Sequence, residues 1–325
     1  MSRADERPGL PGADFEEAAA VARLRRVSVR KVAGRLLLNA ILALVCAAWT
    51  LPTLGLLVTS FRDPDMVSRS GWWSAAKDPK GLSLDNYRTV LAGQDWSYVD
   101  SSGKTVKLRG ENMLGAFGNS LAVTVPSVLI PILVAAFAAY GFAWLKFPGR
   151  KMLFVGIVAL LAVPLQIALI PILRDYQKAG LNGSFLGVWL AHTGFGLPLA
   201  TYLFYNYIST LPRSILESAF IDGASHYTCF TRLILPLAMP ALASFAIFQF
   251  LWVWNDLLVA LVFLSGGGRA MEVLTQRLLA LAGTRGQDWH LLTAGAFVSM
   301  LLPLAVFFGL QKHFVRGLLA GSVKG

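Results

Sequence analysis

The chain is short of charge. Asp, Glu, Lys and Arg make up 14% of its 325 residues, while 55% are hydrophobic. A soluble globular domain carries about 25% charged residues, so an ordinary soluble fold is excluded and an integral membrane protein is expected. Acids are the scarcer sign, 18 against 29 bases, for a net charge of +11. In a soluble chain that surplus suggests nucleic acid. Here no basic run is interleaved with aromatics, and the cations lie beside apolar runs, where they set membrane orientation. Only two cysteines occur, Cys46 in an apolar run and Cys229 in an amphipathic one. Without CxxC spacing or a shared compartment, neither a disulfide nor a zinc centre is expected. Signature motifs are missing too. There is no GxxxxGK[ST] phosphate loop, no GxGxxG after a strand, no HExxH and no GxSxG. Gly266-Gly267-Gly268 lacks the Lys and Ser/Thr that a nucleotide needs. The sequence therefore offers no catalytic residues, no metal site and no cofactor of its own.

Long apolar runs are what it has instead. Six are long enough to cross a bilayer: about Leu36 to Phe61, Phe117 to Leu145, Met152 to Leu173, Phe185 to Ile208, Leu235 to Leu264 and Leu291 to Gln311. Residues 1–35 form a tail whose Arg23, Arg25, Arg26, Arg30, Lys31 and Arg35 have no acid among them, and Lys146, Arg150, Lys151, Lys312, Arg316 and Lys324 are likewise unaccompanied. The segment from Arg62 to Glu111 is balanced in charge. By the positive-inside rule both termini and the Lys146 to Lys151 turn face the cytoplasm, and 62–116 is an extracytoplasmic loop. Within that loop a short amphipathic helix is expected near Ser83 to Leu91, and Asp100 to Lys104 reads as a turn in a small insertion. The first run is too long for a signal-peptide core and is read as a retained span.

Proline and polar residues interrupt the runs. Pro126, Pro131, Pro164, Pro171, Pro198, Pro240 and Pro303 each remove a backbone donor and favour a kink, which suits either a gated pathway or irregular packing. Asp256 is the one acid inside an expected span, and an intramembrane carboxyl is a functional candidate because its burial is expensive. On a helix Gln249, Trp252 or Val253, and Asp256 share a face. With Asn255 they make a candidate substrate pathway, in which indoles stack on sugar C–H surfaces and amides bind hydroxyls. The alternative is that Asp256 bonds a neighbouring helix and the tryptophans belong to an aromatic belt. His192, with no second ligand at helical spacing, reads as a packed residue.

Between the fourth and fifth runs, at 209–234, lies the most informative stretch. Ser214 followed by Glu217 has capping-box spacing, so a helix is expected to start at about Ser214. Asp222-Gly223 then ends it and reverses the chain, and Ser225 caps a second short helix towards Pro236. Glu217, Ser218, Ala219, Gly223, Leu233, Leu235 and Pro236 resemble the Glu-Ala-Ala, three residues, Gly, nine residues, Ile, one residue, Leu-Pro signature of permease subunits of binding-protein-dependent ABC importers. Ser218 stands for the second Ala and Leu233 for the Ile. Phe117-Gly118-Asn119-Ser120-Leu121 is similar to the Asn-Ser-Leu opening of a span in these permeases. Trp254-Asn255-Asp256 and the tail Val315-Arg316-Gly317-Leu318 to Val323-Lys324-Gly325 resemble the carbohydrate class. The likeness runs from about residue 36 to the end, leaving out Asp95 to Gly110, and the long first loop is reminiscent of the α-glucoside branch.

The resemblance implies an all-α fold: a six-span transmembrane bundle of the type I importer kind at 36–311, with a cytoplasmic coupling helix and a cytoplasmic tail at 312–325. It implies that Ser214, Glu217, Ser218, Ala219, Asp222, Gly223 and Ala224 couple to an ATPase. Glu217 would cap the helix, Ala219 would allow close approach and Asp222-Gly223 would make the turn. The implied partners are two ATP-binding cassette subunits, which hold ATP and Mg, a second and non-identical permease subunit, and an extracytoplasmic sugar-binding protein. Two other readings stay open on the residues: a permease of this architecture for a polyamine, anion or peptide, and a secondary carrier using Asp256 for proton coupling. The latter leaves the coupling signature unexplained, and no inverted repeat is evident.

Overall fold

The computed structural model describes residues 13–77, 81–93, 96–99, 105–108, 112–282 and 288–320. Contacts divide the chain after Val58. The first unit is most of one long helix, α1 (Ala13–Ser60), which begins well before the expected Leu36 and whose apolar side chains from Val32 to Leu56 are mostly exposed. Pro52 lies inside it without breaking it.

The second unit opens with the expected polar loop. Short helices α2 (Pro64–Arg69) and α3 (Asp85–Ala92) carry it, and α3 coincides with the amphipathic helix read from sequence. Two strands, β1 (Trp96–Val99) and β2 (Thr105–Leu108), pair antiparallel with Trp96 opposite Leu108. This hairpin is an exception to the all-helical expectation, and the Asp100 to Lys104 turn lies outside the described residues. The loop is less solvated than its composition suggests. Arg62 is buried, and its guanidinium donates to the carbonyls of Met66 and Ser70 at 2.8 and 2.9 Å and to Ser70 Oγ and Ser74 Oγ. Asn86 Nδ2 donates to the carbonyls of Ser60 and Arg62, both at 2.9 Å.

The helical body follows as α4 (Met113–Trp144), α5 (Arg150–Ala159), α6 (Leu165–Lys178), α7 (Phe185–Ile208), α8 (Arg213–Ile221), α9 (His226–Cys229), α10 (Leu235–Leu237), α11 (Met239–Trp254), α12 (Leu258–Phe263), α13 (Leu274–Ala282) and α14 (Trp289–Ala320). Among the described residues three helices are long and apolar enough to cross a membrane: Val32–Ser60, Met113–Trp144 and Trp289–Gly309. Two bent pairs bring the number to five. The expected third span is one of these pairs, bent by 104° between Ala162 and Leu165. Val163 is driven into extended backbone (ψ 117°) by the ring of Pro164, which then starts α6. The expected fifth span is bent by 70° at Ala238, just ahead of Pro240, and α11 ends again at Asn255. α7 is 24 residues long and uncharged, but its His, Asn, Gly and Tyr residues dilute its apolar character. The expected C-terminal tail continues the last helix as far as Ala320.

Prolines sit inside α1, α4, α6, α7 and α14 without a break, and for three of them another helix supplies the missing donor. A proline removes the amide that would bond the carbonyl four residues earlier, and in a bilayer that carbonyl must be satisfied from within the protein. Pro126 orphans the carbonyl of Ala122, which accepts from Trp189 Nε1 of α7 at 2.9 Å. Pro131 orphans that of Ser127, which accepts from Gln249 Nε2 of α11 at 3.2 Å. Pro303 in α14 orphans that of Ser299, which accepts from Trp254 Nε1 of α11 at 3.0 Å. These bonds tie α4 to α7, α4 to α11, and α11 to α14. Close approach of α4 and α7 follows from small residues, with Ala135, Ala136, Ala139 and Ala200 all essentially buried in one cluster with Phe204 and Phe245.

Candidate coupling site and intramembrane polar cluster

α8 begins with Pro212 as its first cap, and no side-chain hydrogen bond closes that end. The capping box is therefore absent. Pro212 presets the helical start, so Ser214 falls inside the first turn, where its hydroxyl cannot reach forward, and Glu217 does not cap. The other end is as expected. Gly223 N donates to Phe220 O at 3.0 Å and Ala224 N to Ala219 O at 2.9 Å, with Gly223 at φ +80°. That is a Schellman closure, in which a left-handed residue satisfies the last carbonyls. Ser225 Oγ accepts from Thr228 N at 3.2 Å and caps α9. Beyond Cys229 the helix widens into a π-helical turn, Phe230–Ile234, a feature frequent at functional sites.

The segment is two-faced. Leu216 (1% exposed), Cys229, Phe230 and Ile234 join the α4/α7 cluster, with Ala219 and Ala224 packed beside them. Ser214, Glu217, Ser218, Asp222 and Gly223 are exposed, and Ile221 is 86% exposed. The close approach that Ala219 allows is thus to the chain's own bundle. Phe220 and Tyr227 are exposed as well and join Ile221 on the outer face; the signature did not single them out. The buried Cys229 thiol is out of reach of a docked partner.

The four residues expected along one pathway face are not brought together. Gln249 is 2% exposed, and its amide donates to the carbonyls of Ser127 and His192. Asp256 Oδ2 accepts from Ala260 N at 3.2 Å, capping α12, and lies 4.0 Å from His192 Nε2; its own carbonyl accepts from Thr275 Oγ1 at 2.7 Å. The cavity that Asp256 shares with His192, Ser120 and Thr124 measures about 10 Å³, room for one water molecule and not for a sugar. Asn255 is exposed and its amide turns back to Leu251 O. Trp252 alone of the four faces a sizeable groove, about 610 Å³ and mostly apolar, between α6, α7 and α11. His192 stands edge-on to Trp252, ring centroids 5.7 Å apart.

At the opposite end of α4, Asn119 Nδ2 donates to the carbonyls of Ala270 and Glu272 at 2.7 and 2.9 Å, and Leu274 N donates to Ser120 Oγ at 2.9 Å. The Asn-Ser pair of the sequence thus pins the Gly266–Glu272 loop. Gly183, at φ +75°, packs against the same loop: its amide donates to Phe263 O at 2.7 Å, and a β-carbon there would lie 2.5 Å from Gly266 C.

Residues 120–319 match the family described as "binding-protein-dependent transport system inner membrane component". The chain is 55% identical to the osmoprotective compounds uptake permease protein GgtD of Synechocystis sp., over 85% of this chain and 88% of that protein. It is 43% identical to the alpha-glucoside transport system permease protein AglG of Rhizobium meliloti, over 87% and 95%. Among solved structures its fold is similar to a chain of a bacterial ABC transporter involved in the import of the acidic polysaccharide alginate, with TM-score 0.64, 18% identity and coverage of 95% of this chain and 100% of that one.

Proposed function

The chain belongs to the binding-protein-dependent transport system inner membrane component family, and from that premise we propose that it forms half of the pathway of an ATP-driven importer for a sugar or oligosaccharide. The observation that carries this reading is the Schellman-closed helix Arg213–Ile221, which is anchored by Leu216 and presents Glu217, Ser218, Ile221 and Asp222 outward. A helix so held is a docking element for a cytoplasmic subunit. The chain carries no phosphate-loop motif, so ATP and Mg are bound by two partner ATPases, and a second, non-identical permease completes the pore. An extracytoplasmic binding protein delivers the solute.

The relatives' names support the solute class: alpha-glucosides for one and arabinooligosaccharides for another at 30% identity. The 55% identical relative is named for osmoprotective compounds, so the solute panel includes these beside sugars. With each bent pair read as one span, the proposed six spans include Phe185–Ile208, at about 36 Å for 24 residues long enough to cross the bilayer. Both termini and α8 then face the cytoplasm. Among the proposed pathway residues Trp252 is retained as the one that faces a groove.

The test is gentle-detergent purification of the tagged chain from its native membrane, mass spectrometry of what accompanies it, and a solute panel on the reconstituted complex. Recovery of an ATPase, a second permease and a sugar-binding protein, with ATP-dependent sugar uptake, is expected. The chain alone, active in ATP-free vesicles, would overturn the reading.

A further inference from the structure

Leu216, Cys229 and Phe230 of the coupling segment share one apolar cluster with Ala135, Ala136, Ala139 and Tyr140 of α4 and with Phe204 and Phe245. Phe230 also stacks on Phe137 of α4, ring centroids 4.2 Å apart. To this apolar packing one directional polar bond is added: Tyr140 Oη and His226 Nδ1 are hydrogen-bonded at 2.9 Å. Among the described residues it is the one side-chain hydrogen bond from Arg213–Cys229 to another helix. His226 in turn meets Phe220 of α8 edge-on, centroids 4.9 Å apart, and Tyr140 meets Phe230 at 5.5 Å. Displacement of α8 therefore presses on His226, and His226 is bonded to α4.

α4 is one uninterrupted helix, and Asn119, 21 residues before Tyr140, is about 32 Å away along it. There Asn119 and Ser120 hold the Gly266–Glu272 loop and the start of α13. Between the two ends the carbonyls that Pro126 and Pro131 leave open are satisfied from α7 and α11, which keeps the helix from breaking where it has lost two backbone bonds. We infer that α4 is a connecting rod between the coupling segment and the opposite face. His226 and Tyr140 form its cytoplasmic pin, and Asn119 and Ser120 its outer pin. All four are positioning residues in coupling; none needs to touch solute. The inference rests on the coupling reading of α8.

The experiment uses the full importer in proteoliposomes and measures solute moved per ATP hydrolysed. Tyr140→Phe removes one hydroxyl and keeps the ring packing. It is expected to leave complex yield and basal ATP hydrolysis as they are and to lower solute per ATP roughly 3- to 10-fold, the range one lost hydrogen bond spans. His226→Leu, on an exposed residue whose replacement leaves the core untouched, is expected to do the same. The double variant is no worse than either single one, and Asn119→Leu reproduces the effect from the far end. Wild-type solute per ATP in Tyr140→Phe or His226→Leu overturns the rod, as do single effects that multiply in the double variant. If Tyr140→Phe fails to assemble, His226→Leu carries the test. A bulky Gly223 substitution separates the two levels. Retained coupling there removes the coupling reading itself, whereas lost coupling there with normal Tyr140→Phe and His226→Leu removes only the rod.

Discussion

Replacing Gln249 with Met keeps side-chain size in a packed site and deletes both donors. The carbonyls of Ser127, at 3.2 Å, and His192, at 3.3 Å, lose their partner. The Ser127 carbonyl has no second donor in its own helix, because position 131 is proline. An interhelical hydrogen bond in a membrane contributes about 0.6 to 1.7 kcal/mol, and an orphaned buried carbonyl costs about 1–3 kcal/mol more. Gln249→Met should therefore destabilise by roughly 2–4 kcal/mol. At about 2–4 °C per kcal/mol that lowers the melting midpoint of the detergent-solubilised complex by roughly 4–16 °C. The decisive arm is a second substitution. Pro131→Ala restores an amide four residues after Ser127, so the orphan is satisfied within the helix. In that background Gln249→Met should cost less by about 1–3 kcal/mol. Additive effects would refute the argument, because they would mean that Gln249 does not replace the proline's missing donor.

Asp256→Ala removes the cap of α12 and the contact with His192, so it should lower thermal stability by about 1–2 kcal/mol as well as transport. A loss of transport with unchanged melting would return Asp256 to the pathway. Gly183→Ala combines a positive φ with a β-carbon 2.5 Å from Gly266. It should cost more than the ~1 kcal/mol of the conformational penalty alone and expose the Gly266–Glu272 loop to limited proteolysis. Ser218→Cys, exposed on α8, should cross-link to an ATPase subunit, whereas the native Cys229, buried, should not; the reverse pattern would mean that the wrong face docks. Trp252→Ala, at the 610 Å³ groove, should lower transport at unchanged complex stability, as read by uptake beside a melting curve.

The reach of the sequence follows from what each signal depends on. Local backbone chemistry was legible. Gly223 closes α8, Ser225 caps α9 and the amphipathic α3 lies where its pattern put it, because each rests on residues within one or two turns. The capping box failed for an equally local reason: Pro212 starts the helix before Ser214 can cap it. Span counting was less legible, since an apolar run has the same composition whether straight or folded back by 104° at Val163-Pro164. The pathway face was the least legible. Helical spacing put Gln249, Trp252 and Asp256 on a common side, but what decides their roles is the partner each meets from 57 to 122 residues away in the chain for Gln249, and the break after Trp254 turns Asp256 into a cap.

The prolines show how this could be read further. A proline inside an apolar run announces an orphaned carbonyl four residues earlier, and a bilayer offers no water to satisfy it. A donor side chain on another apolar run is one way to satisfy it. The candidates in such runs are few, and among them Gln249 was read from sequence as a substrate ligand. Gln249, Trp189 and Trp254 each satisfy such a carbonyl. Two of them belong to the stretch 249–256 that carried the sugar-binding expectation. Polar side chains in a span thus have two employers, solute and backbone, and a proline on a neighbouring run favours the second. Trp252, whose indole answers no proline and faces the groove, is left as the residue of that stretch to which the first applies.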